Sequence, residues 1–430
     1  MIKFSGIFLE FSLLVLVFSH LFASDWEVVG EMPIPVKGAQ AIVHDSQIYI
    51  IGGYSDSTFS PINKIQVYNP DLNSWLVIED TLTLSRYGHI ALNDNDKALI
   101  FGGSNTEDSL NKSLEQWDFV TSPVITSFDQ VFNRQFSTAQ IYNNMLYIFG
   151  GYSTEIIDDT LGMNYLVVYN LNADSVEYRN RENFTTDNIP IHQMSVLIGY
   201  NIYIFGGASS GVYKDIYSFD IFGQSLTKSE GSLLNERAGG GAIVINEGTV
   251  ALVGGYNEEN QPMASVELLR VSDDYIIEQK NMESLNYARA EPAVVFKDSF
   301  IYTFGGRDSF GNCIPYVEKV YIEPATTVIK DQYNTNHPSH FNLSQNYPNP
   351  FNPTTTIAVD NKRSMHIKLD IYAVDGTHIK SLLNANLPSG HYNFTWNGFD
   401  NNNRPVSSGI YFYRLDNGTE SIAKRMILMR

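Results

Sequence analysis

Short apolar runs alternate with polar, turn-rich stretches along most of the chain. Six of these runs end in a diglycine: Ile48-Tyr-Ile-Ile-Gly-Gly53, Ala98-Leu-Ile-Phe-Gly-Gly103, Leu146-Tyr-Ile-Phe-Gly-Gly151, Ile202-Tyr-Ile-Phe-Gly-Gly207, Val250-Ala-Leu-Val-Gly-Gly255 and Ile301-Tyr-Thr-Phe-Gly-Gly306. Runs of this length, rich in β-branched and aromatic residues, predict strands. Each is preceded by another strand-like run, such as Gly38-Ala-Gln-Ala-Ile-Val-His44, and followed after a polar loop by an alternating one, such as Ile65-Gln-Val-Tyr68. A turn at Asn69-Pro-Asp-Leu-Asn73 then leads to Ser74-Trp-Leu-Val-Ile78. The pattern predicts four strands per unit. Glycine at the end of the second strand permits positive φ where the chain breaks off near a crowded centre.

The first glycines stand at 52, 102, 150, 206, 254 and 305, so the spacings are 50, 48, 56, 48 and 51. A repeat of about 50 residues is the kelch period, longer than that of WD40 units. With the Tyr68-to-Trp75 pair of the first unit, and weaker pairs at Tyr169/Val176 and Phe219/Leu226, residues 26–322 resemble kelch repeats. The resemblance implies an all-β fold, a six-bladed kelch β-propeller over residues 25–323. The ends of the repeat carry the blade count. Trp26 lies 49 residues before Trp75, in phase with an outermost strand that no blade precedes. The sixth unit ends at Tyr316-Val-Glu-Lys-Val-Tyr-Ile322 without a fourth strand. The N-terminal strand is expected to complete the last blade and remove both open edges.

Residues 324–340 are polar and unpatterned and are expected to form a linker. Residues 341–430 then carry strand-like runs at His366–Tyr372, Gly390–Trp396, Ser408–Arg414 and Ala423–Arg430, punctuated by Val374-Asp-Gly376, Asp400-Asn-Asn-Asn403 and Asp416-Asn-Gly418. Short strands separated by turns suggest a small β-sandwich. The opening Asn346-Tyr-Pro-Asn-Pro-Phe-Asn-Pro353, Tyr372-Ala-Val-Asp-Gly376, Trp396-Asn-Gly-Phe-Asp400, Ser408-Gly-Ile-Tyr411 and the basic last strand resemble the C-terminal sorting domains of the type IX secretion system. That family is related in fold to the immunoglobulin-like domain of the flagellar hook-capping protein. The resemblance implies an outer-membrane secretion translocon as partner, and a secreted or cell-surface destination in a bacterium with an outer membrane.

Charge sharpens the division. The whole chain carries a formal charge of −19. From His340 onward 9 Lys+Arg face 6 Asp+Glu, a balance of +3, which leaves −22 on the residues before it. Such a body is a poor partner for nucleic acid, whose phosphates need Lys and Arg. Lys3, the apolar run Phe11–Phe18 and the small residues Ala23-Ser24 read as a signal peptide over residues 1–24, too short in its apolar part to span a bilayer. No transmembrane segment is expected in the mature chain. No cysteine stands directly after the apolar run, so no lipoprotein anchor is expected, and the single Cys313 excludes an intrachain disulfide or a thiol zinc site.

No catalytic motif, cofactor or metal site is legible. Copper radical oxidases, which share kelch propellers, need a tyrosine–cysteine crosslink and histidine ligands; Cys313 has no histidine near it in sequence. The candidate binding residues are positional. Counting back 16 or 17 residues from the first glycines reaches Arg86, Arg134, Arg237 and Arg289, with Lys37 at 15 and Pro190-Ile-His192 departing in the fourth unit. With His89 and Glu291, these cations form a ring at one mouth of the channel in a first reading, suited to a carboxylate or other anion. In a second, preferred reading they brace blades by pairing with loop carbonyls or acids, because a residue recurring in each repeat serves the repeat. Tyr54, Tyr152 and Tyr256 follow diglycines directly, and Tyr87 and Tyr287 flank arginines. Aromatics at a mouth stack on sugars or anchor a protein loop; otherwise they pack beneath the loops. The expected function is non-enzymatic binding of protein or glycan. The alternative is a carbohydrate-active enzyme, a sialic-acid mutarotase-like epimerase or a lyase, acting at the arginines.

Overall fold

The structure, a computed structural model, describes residues 25–323 and 341–429 apart from 79–81, 95, 107–108, 154–165, 181–189, 222–223, 247, 273–274, 345, 350, 374–375 and 419–420. The expected leader (1–24) and linker (324–340) lie outside the described residues.

Six antiparallel sheets of four principal strands follow one another around an axis. Blade 1 comprises Gln40–His44, Gln47–Ile51, Ile65–Asn69 and Ser74–Ile78, from the axis outward. Blade 4 comprises Met194–Ile198, Asn201–Phe205, Asp215–Asp220 and Ser225–Ser232. The diglycine strand lies second in each blade and is almost wholly buried, as in Ile202, Ile204 and Phe205. Its two faces pack into the clusters shared with the neighbouring blades. Ile48 and Ile50 join Val317 and Phe304 on one side, whereas Ile51 joins Ala98 and Ile100 on the other.

The ring closes as the repeat phase predicts. Glu27–Glu31 pairs antiparallel with Tyr316–Tyr321 and becomes the outermost strand of blade 6, with Phe300–Phe304 and Ala293–Lys297 inside it. Trp26 is anchored there: its indole N–H donates to Glu283 O at 3.0 Å, and its own carbonyl accepts from Asn286 Nδ2 at 2.7 Å.

The diglycines are explained by what lies across the blade boundary. Each first glycine sits at φ between +58° and +67°. A Cβ there would come within 2.1–2.8 Å of a backbone carbonyl oxygen of the next blade: Arg86 for Gly52, Arg134 for Gly102, Pro190 for Gly150, Arg237 for Gly206, Arg289 for Gly254 and Val36 for Gly305. Each second glycine donates its N–H to that same carbonyl, at 2.7–3.0 Å. Six copies of one bond therefore join blade to blade around the ring, Gly306 to Val36 O being the closing one.

The C-terminal unit is a sandwich of a three-stranded sheet (Phe341–Leu343, Thr355–Asn361, Gly390–Trp396) and a four-stranded one (His378–Leu387, Met365–Ala373, Gly409–Asp416, Ser421–Leu428). Trp396, Phe351, Ile357, Leu369, Tyr413 and Met426 form its core. His378–Leu387 was not expected from the sequence. It is a sheet edge with mostly exposed or half-buried residues, so no clean apolar alternation marks it.

Candidate functional site

The inner strands begin at one end of the propeller, where a second ring of backbone bonds encircles the axis. Gly88 N–H donates to Gly38 O (3.0 Å), Phe136 to Gly88 (2.7 Å), His192 to Phe136 (2.8 Å), Gly239 to His192 (2.8 Å), Glu291 to Gly239 (2.7 Å), and Gly38 to Glu291 (3.0 Å). All six residues are left-handed, with φ from +55° to +66°. Glycine meets that demand freely in three blades, whereas Phe136, His192 and Glu291 meet it at a conformational cost. Those three side chains, held where glycine is the natural choice, define the mouth.

Around them stands a closed collar. Tyr87 lies edge-on to Phe136 (centroids 5.2 Å apart), Phe136 stacks on His192 (3.8 Å), and His192 meets Tyr256 edge-on (5.4 Å). The Arg307 guanidinium lies 5.3 Å from the Tyr256 centroid, and its Nε donates to Glu291 at 3.1 Å. Glu291 also accepts from the Tyr87 hydroxyl at 2.8 Å, which completes the circle. Burial raises the Tyr87 phenol pKa strongly, and the Glu291 charge adds to it. Burial pulls His192 down to about 4, with Glu291 opposing and Arg307 adding to the depression, so the imidazole is neutral at physiological pH. Beneath the collar the axis narrows to a cavity of about 70 Å³ and then widens to one of about 510 Å³ between the inner strands.

Beside the collar, the loops of blades 1 and 6 are clasped. Lys37 Nζ donates to Gly311 O at 2.6 Å, lies 3.5 Å from Asp56, and sits 4.8 Å from the Tyr54 ring centroid. Asp56 accepts the Cys313 N–H, and the Cys313 thiol donates to Tyr54 O at 3.3 Å. Burial pushes that thiol up to about 12, so it is not a reactive nucleophile at neutral pH.

The arginines do not line the channel, which corrects the anion-ring reading. Arg86, Arg237 and Arg289 are 0% exposed and Arg134 is 5% exposed. Each directs Nη1 to the carbonyl of its own blade's first glycine: Gly102, Gly150, Gly254 and Gly305, at 2.7–2.9 Å. Three pair with fully buried glutamates on the third strand, Arg86 with Glu115 (2.7 Å), Arg237 with Glu267 (3.5 Å) and Arg289 with Glu318. The glutamates also hold the incoming loop, accepting the N–H of Thr83, Leu234 and Asn286, three residues before each arginine. Lys37 is out of register with them. Val36 carries the carbonyl that arginines carry elsewhere, and Gln66 replaces the glutamate, accepting from Ile34 N–H at 2.8 Å.

The remaining candidates divide. His89 is 1% exposed, with its ring against Gly52 in the blade boundary, and burial followed by the Arg86 charge lowers its pKa to about 3. Glu291, Tyr54 and Tyr256 belong to the mouth, whereas Tyr287 stacks on Tyr316 at 4.3 Å outside it. Tyr152 is 52% exposed. The repeat pattern marks neither Phe136 nor Arg307, and shows His192 only within the departure of the fourth unit, because in other blades their positions hold glycine or an unrelated residue. Nor does it mark Phe59 and Phe310, exposed by 81% and 88% at the tips of the clasped loops.

Comparison with known proteins agrees with both halves of the architecture. The family model described as Attractin/LZTR1 beta-propeller matches residues 15–217, and that described as secretion system C-terminal sorting domain matches residues 345–429. Kelch repeat protein M-T8 of Myxoma virus is 31% identical over 90 residues, 21% of this chain and 17% of the viral protein. Kelch-like protein 38 of Rattus norvegicus is 27% identical over 126 residues, 29% of this chain and 20% of that protein. The chain carries a kelch-type β-propeller and a C-terminal type IX sorting domain. Kelch-like protein 23 of Mus musculus shares 29% identity over 130 residues, 30% of this chain and 22% of the mouse protein. The matched stretches span about a fifth of these relatives, and the likeness belongs to the kelch repeat itself.

Proposed function

We propose that this kelch protein is a binding protein, secreted or displayed on the surface of a bacterium with an outer membrane, which engages a protein or glycan with the loop-bearing mouth of its propeller. The leader at residues 1–24 takes it across the inner membrane in this reading, and the sorting domain presents it to the outer-membrane translocon. The observation that carries the binding site is Phe59. It is 81% exposed at a loop tip and is held at φ +48°, a conformation costly for a bulky residue. Among the described residues little packing offsets that cost, whereas contact with a ligand does. Phe310 and Tyr152 add exposed aromatic area on the same face, and exposed aromatics around a structured centre are the usual anchors of recognition. The enzymatic alternative is not carried forward, because the arginines it needs are committed to buried glutamates and glycine carbonyls.

A panel of glycans, sialic acids included, and of extracellular matrix proteins tests the site. Substituting Phe59, Tyr152 and Phe310 together by alanine is expected to weaken binding at least tenfold, about 1.4 kcal/mol, with an unchanged melting temperature. Undiminished binding by the triple variant would overturn this placement. For export, deletion of residues 341–430 is expected to leave the propeller in the periplasm, as fractionation and surface proteolysis would show. Normal surface delivery of that truncation refutes the sorting role.

A further inference from the structure

Successive residues of a strand face opposite sides of its sheet. In Gly409–Asp416, Tyr411, Tyr413 and Leu415 enter the sandwich core, so Phe412 and Arg414 point away from it. An outward face in water would leave both open, yet Phe412 is 5% exposed and the Arg414 side chain 13%. The propeller covers them. Tyr200 meets Phe412 edge-on, with centroids 4.7 Å apart at 71°, and Asp220 lies 2.5 Å from Arg414 Nη1. Burial raises the Tyr200 pKa, while Arg425, which faces Phe412 across the ladder, lowers it.

Both propeller residues lie at one place. Tyr200 is in the turn between Met194–Ile198 and Asn201–Phe205, and Asp220 ends the strand Asp215–Asp220 paired beside it. That end of blade 4 is remote from Gly206 and Gly207, on the side opposite the collar. We infer that it is a docking surface for the chain's own sorting domain, so that the export domain and the ligand-binding loops occupy opposite ends of the propeller. The charges suit the contact, with +3 on the residues from His340 onward and −22 on those before.

An ion pair such as Asp220–Arg414 and an aromatic pair such as Tyr200–Phe412 make a weak contact. Two separate molecules at micromolar concentration would not be held by it. On one chain, joined through residues 324–340, the effective concentration is of millimolar order, and docking is populated. A cut between the domains therefore releases the sorting domain without any change at the interface.

Small-angle scattering on the full-length protein tests the docking. Asp220→Arg and Arg414→Asp are each expected to raise the radius of gyration by roughly a tenth, and the two together to restore the wild-type value. Unchanged melting temperatures would show that each variant folds. Should a charge reversal misfold, Tyr200→Ala with Asp220→Asn removes the contact more gently and is expected to expand the protein equally. Singles that leave the radius unchanged, or a double variant as expanded as the singles, overturn the inference. Glycan or protein binding at the mouth stays the same in every arm, so failure here is distinct from failure of the proposed function.

Discussion

Gly206→Ala is expected to destabilise the propeller by about 3–5 kcal/mol, whereas Gly199→Ala, seven residues earlier in the same blade, costs only about 1–2 kcal/mol. The two glycines have nearly the same backbone, φ +58° and +61°. Alanine pays the same left-handed penalty at both. Their surroundings differ. Nothing lies within 4 Å of a Cβ at Gly199, while one at Gly206 would stand 2.1 Å from Arg237 O. That oxygen cannot retreat cheaply, because it accepts the Gly207 N–H at 3.0 Å, one of the six bonds joining the blades. Alanine at 206 must therefore push blade 5 away or break the bond. Denaturant midpoints at constant slope would measure the difference. Equal losses at 199 and 206 would mean that the diglycine serves backbone conformation alone, not the close approach of the next blade.

The same contrast shows how far the sequence could be read. Diglycines were legible because their demand is local: positive φ and no room for a Cβ select one residue type in every blade. Ring closure was legible because Trp26 keeps the phase of Trp75 with no blade before it. The arginines were visible as a recurring feature, but their surroundings were not. Glu115, Glu267 and Glu318 stand 29, 30 and 29 residues after their arginines, on the third strand. That nearly constant offset is the available signal, and it distinguishes an internal latch from a ring of free cations. Counting residues back from the glycines also set Lys37 beside the arginines. The hydrogen-bond register places it beside Tyr87, since Gly38 and Gly88 are equivalent in the axial ring. The collar was the least legible part. Its positions tolerate glycine, phenylalanine, histidine and glutamate alike, so no recurring residue marks them.

The division of labour between the two rings follows from this. Bonds to the arginine-position carbonyls are the same in all six blades and hold the cylinder together. The axial ring keeps its backbone bonds while its side chains vary, and such variation without loss of structure suits the binding role proposed for the mouth. Kelch architecture here concentrates its invariant chemistry in the blade boundaries and leaves the mouth to Phe136, His192, Glu291 and the loops above them.

Breaking the latch of blade 6 should be costly, and in a way that depends on which charge remains. Glu318→Ala is expected to cost about 3–5 kcal/mol, because it strands a fully buried guanidinium without its counter-charge. It also removes the acceptor of the Asn286 N–H at 2.7 Å and of the Tyr287 N–H at 3.2 Å. Glu318→Gln keeps an acceptor for the loop but still leaves Arg289 unpaired, so it remains damaging. Adding Arg289→Met to Glu318→Gln should recover part of that loss, because the stranded charge is gone. Blade 1 supports this: Val36 and Gln66 occupy the equivalent positions, and Gln66 holds Ile34 by both its amide groups at 2.8 Å without any arginine behind it. Unfolding of the two single variants and the double variant should therefore be non-additive, with a coupling of about 1–3 kcal/mol. Strict additivity would show that Arg289 and Glu318 contribute independently, and the latch would reduce to two separate sets of backbone hydrogen bonds.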